Sequence, residues 1–192
     1  MGKILQKTII SLFIGIGIFF ALGVNADTFG YEVAGSSAGS LWNVLAGYRF
    51  PMGATAGSGD SMTASVSRYS SGNKWKMAVY KQSDLSLIGV TSEGEVPGSK
   101  AWNTLTFPSA PSLLASTDYF LAAWGDIDTD MLYYDSGTKD YGLFEEKTYT
   151  GTFENPWEGY TLFNRKYSIY ATYTEEAPPA AAEIEMSVII VE

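Results

Sequence analysis

The chain has 192 residues with 12 basic and 21 acidic side chains, a net charge of −9, and neither cysteine nor histidine. That composition excludes thiol catalysis, Ser-His-Asp chemistry, His-ligated zinc and disulfides, and its acidity repels nucleic acid and anionic membrane surfaces. What remains for function is carboxylates, hydroxyls, backbone and an aromatic content of 15%.

At the start of the chain, Lys3 and Lys7 flank the entry to an apolar run from Ile9 to Val24. Val24-Asn25-Ala26 then offers the −3 and −1 positions of a cleavage site, so residues 1–26 read as a helical signal peptide. The expected location is therefore secreted or cell surface, with no membrane contact after cleavage. An uncleaved anchor is the competing reading, because the run approaches the roughly 20 residues that span a bilayer. Cleavage removes two lysines and no acid, which leaves the exported chain more acidic still.

Residues 27–174 read as one domain of short alternating segments with almost no helical period. In order, the predicted strands are Phe29 to Val33, Leu45 to Phe50, Ser61 to Tyr69, Trp75 to Lys81, Leu85 to Val90, Trp102 to Phe107, Tyr119 to Trp124, Met131 to Tyr134 and Tyr167 to Tyr173. Within the third, Met62, Ala64, Val66 and Arg68 share one side. Alternation also assigns Trp75 and Tyr119 to the core with Met77, Val79 and Leu121. Turn residues punctuate the set at Ser70-Ser71-Gly72-Asn73, Glu95-Val96-Pro97-Gly98, Asp135-Ser136-Gly137-Thr138 and Asn155-Pro156. Nine or ten short strands with no β-α-β rhythm predict an all-β fold, an antiparallel two-sheet β-sandwich of jelly-roll type. Without disulfides, an exported domain of this size must draw its stability from its own core.

Beyond the domain, residues 175–183 (EEAPPAAAE) read as a Pro/Ala/Glu linker. Residues 184–192 are β-branched and strand-like, with Ile184, Met186, Val188 and Ile190 on one side. Such a strand either folds back on its own domain or completes the exposed edge of a neighbouring subunit.

Three segments carry a resemblance: WKMAVYKQSDLSLIGVTSEGEV (75–96), AWNTLTFPSAPSLLASTDYFLAAW (101–124) and YSIYATYT (167–174). Together they resemble a widespread group of uncharacterised jelly-roll domains in secreted and surface proteins of bacteria, archaea and their viruses. Those domains are similar to carbohydrate-binding modules and to surface anchor domains. The resemblance implies a fold and an extracellular setting over residues 28–174, and it implies no activity and no site residues.

Four constellations could carry chemistry. Asp126, Asp128 and Asp130 have D-x-D-x-D spacing, and with Asp135 they form a candidate structural calcium site. Met131 stands where an EF-hand needs glycine and Gly137 where it needs glutamate, so an EF-hand is excluded. A solvated hairpin tip is the plainer reading of the same residues. Among the glutamates, Glu145 and Glu146 are adjacent and point to opposite faces of a strand, a poor glycosidase pair. Glu154 and Glu158 flank Trp157, which suits gripping a sugar better than cleaving one. Trp42 and Trp157 lie in polar, turn-rich segments and are expected to be exposed. Trp42, Tyr134, Trp157 and Tyr160 form the candidate ligand-binding face, since rings with a polar edge stack on sugars. Finally, the glycine-rich residues 53–59 lack the Lys-Ser/Thr ending of a phosphate loop and read as a plain loop.

The expected function is a non-enzymatic extracellular recognition or adhesion module, with a glycan or a surface protein as partner. One alternative is a structural subunit that self-assembles into a filament or layer by C-terminal strand donation. The other is a weak carboxylate-based glycosidase.

Overall fold

A computed structural model describes residues 25–68, 72–126 and 131–177. The leader as far as residue 24, the linker from residue 178 and the segment carrying Ile184, Met186, Val188 and Ile190 lie outside the described residues. Among the described residues there is no helix, and the chain runs through fourteen strands.

The first half contains β1 (Ala26–Gly30), β2 (Ser37–Ser40), β3 (Val44–Pro51), β4 (Gly57–Ser67), β5 (Trp75–Lys81), β6 (Leu87–Val90) and β7 (Ala101–Thr106). The second half contains β8 (Ser112–Leu113), β9 (Asp118–Gly125), β10 (Met131–Ser136), β11 (Gly142–Glu146), β12 (Thr161–Phe163), β13 (Arg165–Tyr167) and β14 (Ile169–Glu175). Ala26, the last residue of the expected leader, opens β1 and pairs with Thr174. The strand expected from Leu85 starts two residues later, because Leu85 takes a positive φ of 55°. Its N–H closes the turn on the Lys81 carbonyl at 2.9 Å, and Asp84 accepts the Ser86 N–H at 3.0 Å.

Two antiparallel sheets make a β-sandwich. One has the order β1-β14-β4-β10-β13, with β2 on β10 and both β7 and β8 on β4; the other runs β12-β11-β3-β9-β5-β6. The chain turns a corner between β13 and β14 at Ser168, which is fully buried. Its N–H donates to the Tyr133 carbonyl, its carbonyl accepts the Ser65 N–H, both at 2.9 Å, and its Oγ accepts the Gly35 N–H at 2.8 Å. A buried hydroxyl with every backbone group paired costs little. Gly35 has to be glycine there, since a Cβ would sit 2.5 Å from the Tyr134 carbonyl oxygen.

Alternation fills the space between the sheets. Met62, Ala64, Val66, Ile169 and Ala171 from one sheet meet Tyr48, Met77, Val79, Leu121 and Ala123 from the other, all buried, with Trp75 and Tyr119 among them as expected. Each such side chain contributes about 1.5–3 kcal/mol by leaving water.

A second apolar cluster lies on the far side of the β3-β9-β5 sheet. Leu45, Ala78, Tyr80, Phe120, Ala122, Trp124 and Leu143 face outward and are covered by Phe153 and Trp157. This is why every residue of β9 after Asp118 is buried. The expectation that Trp157 is exposed is therefore corrected: it is 1% exposed. The polar, turn-rich segment that carries it folds over the sheet, and its ring packs 5.2 Å from Tyr80.

Candidate functional site

Residues 147–160 form a strap across the outer face of the second sheet, and its attachments build the candidate site. Lys147 sits between two carboxylates, with Nζ 3.6 Å from Glu145 Oε1 and paired with Glu154. Glu145 Oε2 also accepts the Trp157 Nε1–H at 3.0 Å. Further along, the Tyr80 hydroxyl donates to the Glu154 carbonyl at 3.1 Å, and Asn155 Oδ1 accepts the Leu87 N–H at 3.0 Å. Glu145 and Glu154 thus share one lysine, and Glu145 also accepts an indole N–H, which makes them anchors of the strap. A glycosidase needs one carboxyl held protonated and another free to act as base or nucleophile.

Where the strap begins, the turn from β2 to β3 meets it. Leu41 is fully buried there, while the next residue, Trp42, is 53% exposed. The Trp42 N–H donates to Ser40 Oγ at 3.0 Å, and Asn43 follows with φ at 48°. That conformation lets the Asn43 carbonyl accept the Lys147 N–H at 2.6 Å, while its side-chain Oδ1 accepts the Tyr149 N–H at 2.9 Å. Beneath, Trp124 Nε1 donates to the Lys147 carbonyl at 3.0 Å. One asparagine and one buried indole therefore fix the wall facing Trp42.

Between ring and wall runs a groove of about 450 Å³ lined by Ser40, Trp42, Asn43, Val44, Glu146, Lys147 and Thr148. Because β11 alternates, Glu145 turns to Trp157 while Glu146 opens into the groove. The Lys147 ammonium is drawn away to Glu145 and Glu154, so the groove's uncommitted charge is the Glu146 carboxylate. Neither Glu146 nor Thr148 spends its side chain on a hydrogen bond to a described residue. An aromatic face, a carboxylate acceptor and hydroxyls at a rigid wall are what a sugar needs: apolar C–H faces stack and hydroxyls donate or accept.

The other predicted ligand residues do not join this groove. Tyr160 is 42% exposed and lines a separate cavity of about 340 Å³ with Arg49, Gln82, Asp140 and Leu162. Arg49 is held there over the Tyr141 ring at 3.8 Å, with Nε 3.3 Å from Asp118. Tyr134 is half-buried in β10, with the Arg165 guanidinium 4.8 Å from its ring centroid and Tyr167 edge-on at 5.9 Å. Trp157 lies beneath the strap.

Of the four aspartates, Asp128 and Asp130 lie outside the described residues. Asp126 Oδ1 accepts the Lys74 N–H at 2.7 Å. Asp135 accepts the Ser36 N–H, the Ser36 hydroxyl and the Tyr31 hydroxyl, each at 2.9 Å. The Ser36 contacts, then Tyr31, hold the Asp135 carboxyl below the usual range. These two carboxylates tie down different loops, and among the described residues no group of three or more acids is placed to hold a metal ion.

Sequence reasoning placed Trp42 and missed Ser40, Asn43, Glu146 and Thr148. The opposite facing of Glu145 and Glu146 was the available signal, and the fold adds which of them meets Trp42. Neither a family model nor a curated protein matches the chain.

Proposed function

We propose that this chain is a non-enzymatic extracellular recognition domain that holds a glycan in the Trp42 groove. The observation that carries it is a half-exposed indole facing a fixed wall that presents Glu146 and Thr148, whose side chains make no hydrogen bond to another described residue. A sugar ring placed on Trp42 would donate hydroxyls to the Glu146 carboxylate and exchange hydrogen bonds with Ser40 and Thr148. The groove lining contains a single carboxylate, Glu146, where glycoside hydrolysis uses a pair, which supports binding without cleavage.

A jelly-roll winding belongs to the same reading. Two strand orders support it: β1-β14-β4-β7 in one sheet and β3-β9-β5-β6 in the other. They fit a strand path through β1, β3, β4, β5, β6, β7, β9 and β14 that crosses between sheets at every connection except the β5–β6 hairpin, with β2, β8 and β10 to β13 as additions.

The test is a glycan array probed with the full-length chain and with Trp42→Ala and Glu146→Gln. The expected result is binding that falls by about tenfold or more in Trp42→Ala, with a smaller loss in Glu146→Gln and unchanged melting in both. An array that captures no glycan, or one bound equally by Trp42→Ala, overturns the reading. Release of new reducing ends from a bound glycan overturns its non-enzymatic part.

A further inference from the structure

A second surface lies on the outer face of β1, β14, β4 and β7, and it has a different chemistry from the groove. Its inner side carries Met62, Ala64, Val66, Ile169 and Ala171; its outer side carries hydroxyls. The register sets Thr104, Thr63 and Tyr170 side by side across three strands. In the next row it sets Thr106, Ser61, Thr172 and Thr28 side by side across four. The Thr63 and Thr104 hydroxyls share a hydrogen bond of 2.8 Å. At one corner Trp102, 38% exposed, stands edge-on to Tyr170 with centroids 5.5 Å apart.

Neither row contains a charged side chain, in a chain with a net charge of −9. Among the described residues, carboxylates border the rows where Thr28 donates to Glu32 and where Thr174 donates to Asp60 of the central strand β4. Solvent-facing sheet positions ordinarily carry lysines and glutamates that keep the sheet soluble and single. Within the two rows Thr28, Thr104 and Thr106 are exposed, Ser61, Tyr170 and Thr172 are half-buried and Thr63 is buried at 3%, so the solvent-reaching part of the face is uncharged and rimmed by hydroxyls, which a ligand would cover.

Charge and chemistry both select that ligand. An anionic polymer is repelled by the net charge. A protein partner is held by a cluster of buried aromatic or arginine anchors, and this face offers one exposed indole packed edge-on to a half-buried phenol among hydroxyl side chains. An ice surface demands an even plane, which the projecting Trp102 interrupts. A neutral polyhydroxyl chain meets none of these objections: each threonine or serine hydroxyl donates and accepts, the indole stacks on a sugar ring, and no ion is desolvated. We propose that this face binds a neutral, extended polysaccharide laid across β7, β4 and β14, with one sugar ring seated at Trp102. The proposal rests on residues separate from the Trp42 groove and stands or falls apart from it.

The experiment is co-sedimentation of the full-length chain with microcrystalline cellulose and with insoluble chitin. It compares the unaltered chain with Thr104→Glu/Thr172→Glu, with Trp102→Ala and with Trp42→Ala, each checked for folding by circular dichroism. The unaltered chain is expected to sediment with at least one polymer. The double glutamate variant and Trp102→Ala should each weaken that binding by about tenfold, while Trp42→Ala leaves it intact. Trp102→Ala keeps the test valid if the double variant does not fold. Absence of co-sedimentation with both polymers, retention unaffected by the face variants, or loss caused by Trp42→Ala alone each overturns the proposal. Ice shaping by the unaltered chain without polymer retention also overturns it and assigns the face to ice.

Discussion

Trp157 is the residue whose environment departs most from its local sequence. Proline, glycine and acids surround it, yet it is 1% exposed, packed on Tyr80 and hydrogen-bonded to Glu145. Removing it would leave a void under the strap and an unpaired carboxylate oxygen. Trp157→Ala is expected to cost about 3–5 kcal/mol, measured by chemical denaturation. Trp157→Phe should cost less, because it keeps most of the apolar contact and loses the hydrogen bond. A Trp157→Ala variant as stable as the parent would show that the strap is not held by this ring. Trp42 is the counter-case: its neighbour Leu41 takes the buried position, so the indole is left outside, and its substitution should change binding without changing stability.

Among the elements, the connection from β1 to β2 depends on one carboxylate. Asp135 of β10 holds Ser36 through backbone and hydroxyl and holds Tyr31 through its phenol. Its carboxyl is held below the ordinary value of about 3.9, so the clamp is fully present above that value and is lost as pH falls through the lowered folded value. The protection factor of the Ser36 amide, followed by NMR, should fall only once pH drops below the ordinary carboxyl value, while protection in β9 stays high. Asp135→Ala, which removes the acceptor, should show low Ser36 protection at all pH values, and equal protection in both proteins would refute the clamp. The strap depends in the same way on Lys147 between Glu145 and Glu154, which fixes the groove wall by fixing the strap's first residues.

On the scale of the whole molecule, four of the twelve basic side chains lie over the chain's own rings. Lys166 lies 4.0 Å from the Tyr31 ring centroid, Lys100 4.2 Å from that of Tyr133, and Arg165 and Arg49 cover Tyr134 and Tyr141. Buried tyrosines are expected to set the alkaline limit of the fold. Burial, then the hydrogen bond to Asp27, pushes the Tyr173 phenol up to about 12, and burial raises Tyr80 and Tyr149 as well. A raised folded value means that the stabilisation is complete below the ordinary value near 10 and drains away as pH rises from there towards 12. Phenolate absorbance should therefore resolve two classes. Exposed tyrosines should ionise near pH 10, and a buried class should ionise together with loss of the circular dichroism signal. Ionisation of all thirteen in one step near pH 10 with the fold intact would contradict this.

Much of the sandwich was legible along the chain, because period-2 alternation is a local signal wherever one strand face is buried and the other is wet. It located β3, β4, β5, β7, β9 and β14 and put Trp75 and Tyr119 in the core. It missed β2, whose sequence Ser-Ala-Gly-Ser has no large apolar residue to alternate, β8, β12 and β13, which are two or three residues long, and β11, and it set β1 three residues too late. The candidate site was legible only at Trp42. Ser40 and Glu146 come from strands far apart in sequence, and nothing local says that the strap will close against the β2–β3 turn.

By itself, then, the sequence determined an acidic, cysteine-free and histidine-free all-β chain, and with that the kinds of chemistry it lacks. Composition and alternation are properties of the chain and survive without coordinates. Only the tertiary structure decided which aromatic rings face solvent, since a strap that covers one sheet face buries Trp157 regardless of its polar neighbours. Only the register decided that threonines and serines from four strands form one uncharged plane, because strand pairing joins residues that the chain keeps far apart.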